Sequence, residues 1–292
     1  MEIMVKCKAS VLLLCLFFIG ITLHAQDSLL KVACVGNSIT AGYGLSNPAT
    51  ESYPAQMQKM FDSKKWMIEN FGVSARTMLK TGDLPYWNEP QYKEALAMNP
   101  NIVIIKLGTN DSKRWIWNKH GGEYKTDYKE MIQSFRNLPT KPTIFICLAI
   151  PGENRGWDIY NSYINDSLNP RVKEVALEMG VNLIDLHKVF IGNEKAWLMG
   201  DSVHPNFAGC TVLANTVKTM ITAAKPSIKF INGTLTTFNA ESYQWYFNNV
   251  QIPASEGGTK QSLKPTKKGL YKVSVAIQKG SESRLVSTEF LY

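Results

Sequence analysis

Residues 102–111 read IVIIKLGTND, and this stretch decides how the rest of the chain is interpreted. The apolar, β-branched run at residues 102–107 predicts a β-strand that is buried on both faces. Gly108 and the short polar residues after it are typical of a turn. A buried strand that ends in such a turn is typical of a parallel sheet with helices packed on both faces.

Similar apolar runs lie on both sides of this stretch, and helical periodicity lies between them. The apolar runs predict further strands at residues 31–36, 66–71, 143–150 and 181–186. The helical periodicity predicts helices at residues 52–61, 91–98, 124–138, 160–179 and 207–224. This alternation predicts an α/β fold, a three-layer α/β/α sandwich around a five-stranded parallel sheet of flavodoxin-like order.

The pattern changes at Lys225-Pro226, where long helical periodicity stops. Strand-like alternation with glycine and asparagine turns follows, at residues 228–237, 242–247, 270–277 and 285–291. We therefore expect a larger domain at residues 26–226 and a small C-terminal all-β module, immunoglobulin-like, at residues 227–292. Trp245 is its expected core residue. A structural role is favoured for this module over glycan binding.

The first 25 residues have the pattern of an export signal. Lys6 and Lys8 precede an apolar run at residues 11–23, and the residues up to Ala25 resemble a cleavage site. The run is shorter than the ~20 apolar residues that cross a bilayer comfortably. We expect a signal peptide at residues 1–25, a secreted or periplasmic protein, and no membrane span after cleavage. An uncleaved N-terminal anchor is the alternative.

Composition limits the classes of function. Hydrophobic residues make up 45% of the 292 residues, which is enough for a sizeable core. The formal net charge is +8, but the basic residues are dispersed, whereas nucleic-acid-binding proteins cluster them on one element. We therefore expect no nucleic-acid partner. Cys34, Cys147 and Cys210 would remain after export, and we expect them not to form a disulfide framework, Cys34 and Cys147 as buried residues.

Two polar turns follow strands that a flavodoxin-like order makes neighbours. Ser38 lies in Gly36-Asn37-Ser38 directly after the first strand, and Asn110 directly follows the strand at residues 102–107. Ligands of open α/β sheets bind beyond the carboxyl ends of such strands. A serine there can act as a nucleophile, and an asparagine amide can stabilise an oxyanion. Each residue alone is also typical of a turn or a helix cap.

A third polar turn, Asp201-Ser202-Val203-His204, precedes the last predicted helix. A carboxylate three residues before a histidine can accept the Nδ1–H of its ring, which leaves Nε2 free to take a proton from a serine. A capping aspartate beside a surface histidine is the alternative. His187, at the end of the fifth predicted strand, is the rival candidate for the base.

Taken together, these blocks resemble the SGNH hydrolases, also called GDSL-type esterases and lipases. The resemblance covers about residues 30–224 and rests on GNS at 36–38, NFGVS at 70–74, GTND at 108–111 and DSVH at 201–204. It implies a catalytic triad of Ser38, His204 and Asp201. It also implies an oxyanion hole formed by the Ser38 and Gly72 N–H groups and the Asn110 side chain. Neither a metal nor a cofactor is expected.

The chain departs from the family pattern at two positions. Asn37 stands where aspartate is usual, and Ala75 stands where the second block often has another glycine. The side chain at position 37 takes no part in the family's chemistry. The alanine at position 75 affects the local turn.

The resemblance further implies a secreted carboxylic ester hydrolase that removes acetyl groups from a sugar or polysaccharide, such as sialic acid or a plant glycan. Four tryptophans in the predicted site loops either stack on sugar rings or anchor loops: Trp87, Trp115, Trp117 and Trp157. Three arginines there either bind a carboxylate or pair with surface acids: Arg76, Arg114 and Arg155. A lysophospholipase or thioesterase, an acyltransferase and a non-catalytic glycan-binding protein are the alternatives.

Overall fold

A computed structural model describes residues 29–292, so the predicted signal peptide lies outside the described residues. The strands are β1 (Leu30–Gly36), β2 (Trp66–Gly72), β3 (Ile102–Lys106), β4 (Thr143–Cys147), β5 (Asn182–Ile184), β6 (Lys229–Ile231), β7 (Thr234–Thr236), β8 (Ser242–Phe247), β9 (Val250–Gln251), β10 (Ser262–Leu263), β11 (Leu270–Ala276), β12 (Arg284–Val286) and β13 (Phe290–Leu291). The α-helices are α1 (Ser38–Ala41), α2 (Pro48–Glu51), α3 (Tyr53–Gln58), α4 (Pro90–Ala97), α5 (Arg114–His120), α6 (Tyr124–Arg136), α7 (Asn161–Tyr163), α8 (Asn169–Met179), α9 (Leu186–Phe190), α10 (Glu194–Trp197) and α11 (Phe207–Thr222).

The main sheet is mixed. Strands β2, β1, β3, β4 and β5 pair in parallel in that order. Beyond β5 the same sheet continues through β12, β11, β8 and β9, and these pairings are antiparallel. With β13 beside β11, it has ten strands. The α/β class expected from the sequence is confirmed, whereas a parallel sheet that ends at the fifth strand is not what the structure has.

The continuation follows from the exposed edge of β5. An unpaired edge strand presents free N–H and C=O groups that a further strand can cover. Here Arg284 pairs with Leu183, and the Val286 N–H donates to Asn182 Oδ1 at 2.9 Å. The C-terminal chain therefore completes the sheet of the larger domain.

Two apolar layers cover the parallel strands, because successive side chains of each strand point to opposite faces. Val103 and Ile105 of β3 face the helices α4, α6 and α8. Ile102 and Ile104 face α3 and α11. This is the three-layer arrangement that continuous apolar strands require.

The C-terminal strands divide between two sheets. Strands β6, β7 and β10 form a separate three-stranded sheet, which packs against β8 and β11 through a cluster that contains Leu235, Trp245 and Val273. Trp245 is fully buried, as expected. The strand predicted at residues 228–237 is instead a hairpin, because Asn232 and Gly233 take positive φ angles of 50° and 76°. The C-terminal strands therefore form two facing layers, one of which belongs to the main sheet, and the expected immunoglobulin-like module is not confirmed.

Cys34, Cys147 and Cys210 are buried free thiols. Within residues 29–292, no helix has both the length and the apolar character needed to cross a membrane.

Candidate active site

Ser38 lies where β1 ends and α1 begins. The Asn37 side chain caps this short helix by accepting the Ile39 N–H at 3.1 Å. Gly36 makes the turn possible, because a Cβ at this position would overlap the Thr40 side chain. The Ser38 N–H, at the first position of α1, has no carbonyl in its own helix to donate to. The turn therefore presents both a hydroxyl and a backbone donor at the carboxyl edge of the sheet.

His204 meets Ser38 across 166 positions of sequence, and Asp201 binds the other side of the imidazole. The distance between Ser38 Oγ and His204 Nε2 is 2.7 Å, and His204 Nδ1 lies 2.8 Å from Asp201 Oδ2. Ser202 takes a φ of 58°, in the left-handed region, and so folds the aspartate back onto the ring. Hydrogen bonds thus link the serine to the histidine and the histidine to the aspartate, which is the arrangement that activates a serine hydroxyl. The structure therefore brings these three side chains together, as the sequence predicts.

The turn also holds Asp201 in its charged form. Its Oδ1 accepts the N–H groups of Val203 and His204, each at 2.9 Å. Partial burial acts to raise the pKa of Asp201, but these two donors and the imidazole outweigh it and lower the pKa below its usual value. The carboxylate is thus ionised wherever the protein is folded near neutral pH, and it can stabilise an imidazolium.

Asn110 reaches the same site from the turn after β3. Gly108 permits this turn with a φ of 125°. One N–H of the Asn110 amide donates to the Arg76 carbonyl oxygen at 3.0 Å. This bond fixes the NH₂ end of the amide, whose second N–H is available to another acceptor. Asn110 and Ser38 border the same cavity.

The Arg76 carbonyl belongs to a loop that Asp111 holds in place. Asp111 is fully buried, and its carboxylate accepts the N–H groups of Met78 at 2.9 Å and Leu79 at 2.7 Å. Burial raises the pKa of Asp111 to about 7, although the two N–H donors act in the opposite direction. Adjacent residues of one turn therefore have separate tasks: Asn110 faces the cavity and Asp111 anchors the loop beside it.

Gly72 does not face the cavity, which corrects the sequence-based expectation. Its N–H donates to the Asn70 side-chain oxygen at 2.9 Å. A Cβ at position 72 would overlap the backbone of Ala41, so the glycine serves the close approach of β2 and α1. Ala75 borders the cavity instead, with a φ of 67°. Ala75, and not Gly72, is thus the residue of this pair that borders the cavity.

A cavity of about 310 Å³ opens above Ser38. Its lining comes from several loops: Ser38, Tyr43, Ser74, Ala75, Thr109, Asn110, Lys113, Trp157, Ile159, Val203 and His204. Tyr43 and Trp157 both pack against the His204 ring, with ring centroids 4.6 Å and 5.5 Å from it. The volume lies near the lower end of the range of ~300–1,000 Å³ for small-molecule sites.

Of the four predicted tryptophans, Trp157 alone borders this cavity. Trp87 and Trp117 pack on the apolar core, and Trp87 Nε1 donates to the Met78 carbonyl at 2.7 Å. Trp115 is exposed outside the cavity. The loop-anchor alternative therefore describes Trp87 and Trp117.

The three predicted arginines are paired with acids. Their partners lie at 2.8 Å for Arg76 with Glu89, 3.2 Å for Arg114 with Asp158 and 3.5 Å for Arg155 with Glu153. Of the two alternatives that the sequence left open for these arginines, this agrees with pairing to acids. The cation that borders the cavity is Lys113, which the sequence analysis did not single out.

His187 is separated from the nucleophile. It lies on α9, where burial lowers the pKa of its ring, and it takes no part in the bonds around Ser38. Within residues 29–292, no group of three or more His, Cys, Asp or Glu side chains is arranged to hold a metal ion.

Comparison with known proteins agrees with this geometry. Residues 34–212 match the model of the GDSL-like lipase/acylhydrolase family, which is more than half of the chain. The chain belongs to this family. The resemblance to GDSL-type hydrolases expected from the sequence is confirmed by this membership.

Among curated proteins, this GDSL-family chain is similar to an acetylxylan esterase of Xylanibacter ruminicola. The two are 38% identical over 213 residues, which is 67% of this chain and 44% of the relative. The chain thus spans less than half the length of the relative it matches.

Solved structures show the same fold at low identity. A lipase from a goat rumen metagenome is 18% identical with a TM-score of 0.51, over 65% of this chain and 96% of the lipase. A two-domain esterase active on acetylated mannans is 14% identical with a TM-score of 0.51, over 85% of this chain and 68% of that chain.

Sequence reasoning missed three residues that border the cavity of this GDSL-family site, namely Tyr43, Lys113 and Ile159, and it named Ala75 only as a departure from the family pattern. A signal existed for Tyr43. Gly42 ends α1 in the left-handed conformation with a φ of 85°, and the Tyr43 N–H then donates to the Ser38 carbonyl at 3.0 Å. A Gly-Tyr-Gly sequence four residues after the serine therefore predicts a turn back over the nucleophile.

Proposed function

We propose that this protein is a serine esterase that removes acetyl groups from a carbohydrate. The observation that carries the proposal is the hydrogen-bonded series from Ser38 through His204 to Asp201 beside the Asn110 amide. A serine hydroxyl is a poor nucleophile until a base takes its proton. This arrangement provides that base, a carboxylate that orients it and donors for the oxyanion in one cavity.

The reaction is acyl transfer in two halves. Ser38 Oγ attacks the ester carbonyl carbon, and its proton passes to His204 Nε2 while Asp201 stabilises the imidazolium. The imidazolium then protonates the leaving alcohol, which leaves an acetyl group on Ser38. Water attacks this acyl-enzyme with His204 again as base, which releases acetate and restores the hydroxyl.

Three donors hold the oxyanion in this proposal. They are the Ser38 N–H, the second N–H of the Asn110 amide and the Ala75 N–H, which replaces the Gly72 N–H expected from the sequence. Support comes from the cavity, which Ser38, Asn110 and Ala75 all border. Preorganised donors of this kind contribute ~3–4 kcal/mol each to lowering the barrier in other enzymes.

A short acyl group suits the size of the cavity. At about 310 Å³, it has room for an acetyl ester and part of its alcohol. The 38% identity with an acetylxylan esterase favours an acetylated plant polysaccharide over acetylated sialic acid as the substrate. Export through a signal peptide at residues 1–25 belongs to the same proposal, because polysaccharides lie outside the cytoplasm. Residues 26–226 would form the hydrolase domain, with residues 227–292 as its structural support.

Acetate release from a panel of substrates tests the proposal. We expect release from acetylated xylan and acetylated xylosides, and its loss in Ser38→Ala. Ser63→Ala, at an exposed serine in the loop before β2, is the matched control and should behave like the wild type. Ester hydrolysis that survives in Ser38→Ala would refute the assigned nucleophile.

A series of esters of increasing acyl length separates the acetylesterase from a lysophospholipase or thioesterase. We expect the rate to fall steeply beyond short acyl chains, because the cavity is small. A maximum at eight or more carbons, on the order of a lipid acyl chain, would contradict the acetyl specificity.

A further inference from the structure

Two exposed aromatic rings stand at the candidate active site. Tyr43 is 50% exposed and Trp157 is 40% exposed, yet both border the cavity and pack against the His204 ring. Large aromatic side chains gain most by burial, so exposed rings that border a cavity are typical of a binding surface. Their position suggests contact with the part of a substrate that extends beyond the ester.

Hydrogen bonds restrain the loop that carries the Trp157 ring. The Trp157 N–H donates to Asn154 Oδ1 at 3.1 Å, and Asn154 Nδ2 donates to the Asp201 carbonyl at 3.0 Å. The loop that carries the ring is thereby joined to the turn that carries His204. Tyr43 is joined to the nucleophile in the same way through its bond to the Ser38 carbonyl. Because their backbone is restrained and the rings pack on His204, these side chains can bind a ligand with a smaller loss of conformational entropy.

The polar groups of the two rings point to the same use. Within residues 29–292, neither the Tyr43 hydroxyl nor the Trp157 indole N–H has a hydrogen-bond partner. Aromatic side chains with one apolar face and one polar end suit a ligand that offers both C–H and O–H groups. A sugar ring has this mixture, whereas a fatty acyl chain has only the C–H groups.

Lys113 adds a charged donor to the same cavity. Its Nζ lies 2.5 Å from Asp83 Oδ2, and the lysine side chain is mostly buried. An ammonium group has three N–H donors, so one can bind Asp83 while the others face the cavity. The ion pair thus restrains the side chain of a lysine that borders the cavity.

We infer that Tyr43, Trp157 and Lys113 form a pyranose subsite that binds the sugar ring bearing the acetyl group. The aromatic rings contact its apolar face, and Lys113 donates to its ring or hydroxyl oxygens. This inference rests on the proposed esterase function, and it specifies which residues bind the alcohol part of the ester. It assigns sugar recognition to residues outside the triad and the oxyanion donors.

Two acetate esters of the same acyl group test this subsite. One is a mono-O-acetylated methyl xyloside, and the other is ethyl acetate, which has no ring; both are followed by acetate release. In Trp157→Ala and Tyr43→Ala we expect kcat/KM for the xyloside to fall about tenfold more than for ethyl acetate, mainly through KM. Trp157→Phe, which keeps a ring, should recover most of the loss, and Lys113→Met should show a sugar-specific loss.

Trp115→Ala is the matched control, because Trp115 is also an exposed tryptophan but lies outside the cavity. It should leave both rates unchanged. Equal losses on the two substrates in Trp157→Ala and Tyr43→Ala would mean that the rings only position His204, and would overturn the subsite. A wild-type enzyme that hydrolyses ethyl acetate but no acetylated xyloside would overturn the subsite and the carbohydrate substrate, but not the serine esterase chemistry. A wild-type protein that hydrolyses neither ester would overturn the proposed function itself.

Discussion

At the scale of single residues, the site assigns different tasks to neighbouring side chains. Asn110 faces the cavity while Asp111 anchors a loop, and Gly72 allows two backbones to approach while Ala75 borders the cavity. The sequence predicted Ser38, His204, Asp201 and Asn110, because their short polar turns occur together in one chain, although each turn alone is also typical of a helix cap. It could not tell which N–H of residues 72–75 faces the cavity, since that depends on how the turn is folded.

Asn110→Ala tests the amide as an oxyanion donor. We expect kcat to fall about 100- to 1,000-fold with little change in KM, because the amide binds the transition state more strongly than the substrate. Thermal unfolding of the variant should be measured as well, since the bond to the Arg76 carbonyl is also lost. A folded Asn110→Ala protein with nearly full activity would contradict the role.

Ala75→Gly tests whether the backbone rather than the side chain matters at this position. An alanine with a φ of 67° is strained, and glycine would remove this strain. Glycine is also more flexible in the unfolded chain, which offsets part of the gain. We expect the free energy of unfolding to rise by about 0.5–1 kcal/mol in total. Activity should be retained, because the N–H remains. Urea unfolding and acetate release measure the two effects. A large loss of activity would show that the methyl group itself is needed.

At the scale of elements, the parallel strands and the turns after them position the site. Strands β1 and β3 are neighbours, so the turns that follow them bring Ser38 and Asn110 to one edge of the sheet. The strand pattern was predictable because strands buried on both faces leave continuous apolar runs in the sequence. The short helices α2, α5, α9 and α10 were not predicted, because each spans only four to seven residues, too few for a helical period to be recognised.

The loop anchored by Asp111 should make stability depend on pH. Its pKa of about 7 in the folded protein lies above the ordinary value of ~3.9, so the folded state keeps a proton that the unfolded state has lost. This contribution to stability is complete below about pH 4 and is lost as the pH rises to about 7.

Urea unfolding of the wild type and Asp111→Asn at pH 5 and pH 7.5 measures this effect. The Asp111→Asn variant should be less stable than the wild type for a separate reason, because an NH₂ donor replaces one of the two carboxylate oxygens that accept N–H groups. The difference in unfolding free energy between the two proteins should nevertheless become smaller at the higher pH. A difference that does not change with pH would mean that Asp111 is ionised in the folded protein throughout.

At the scale of the whole molecule, the C-terminal chain and the hydrolase fold share one sheet. The sequence predicted a change at residue 226 from helical to strand-like periodicity, which the structure has. It could not reveal that β12 pairs with β5, because strand pairing between distant segments leaves no local pattern. The module therefore extends the main sheet, with its own cluster around Trp245.

This sharing predicts a single cooperative unfolding transition. Trp245→Ala should lower the free energy of unfolding by about 3–5 kcal/mol, because it removes a fully buried ring from the C-terminal cluster. Loss of esterase activity on heating should coincide with the calorimetric transition in both proteins. Trp115→Ala, at an exposed tryptophan, should have little effect. Activity that survives a separate, earlier transition would show that the C-terminal strands fold independently.

The central claim is that Ser38 is the activated nucleophile of an ester hydrolase. Peptide mapping after reaction with a fluorophosphonate tests it most directly, because the reagent bonds to a serine that a neighbouring base has activated. We predict one adduct, on Ser38, which is absent in His204→Ala although the hydroxyl is still present. An active enzyme that carries no adduct on Ser38, or that is labelled equally without His204, would contradict the account.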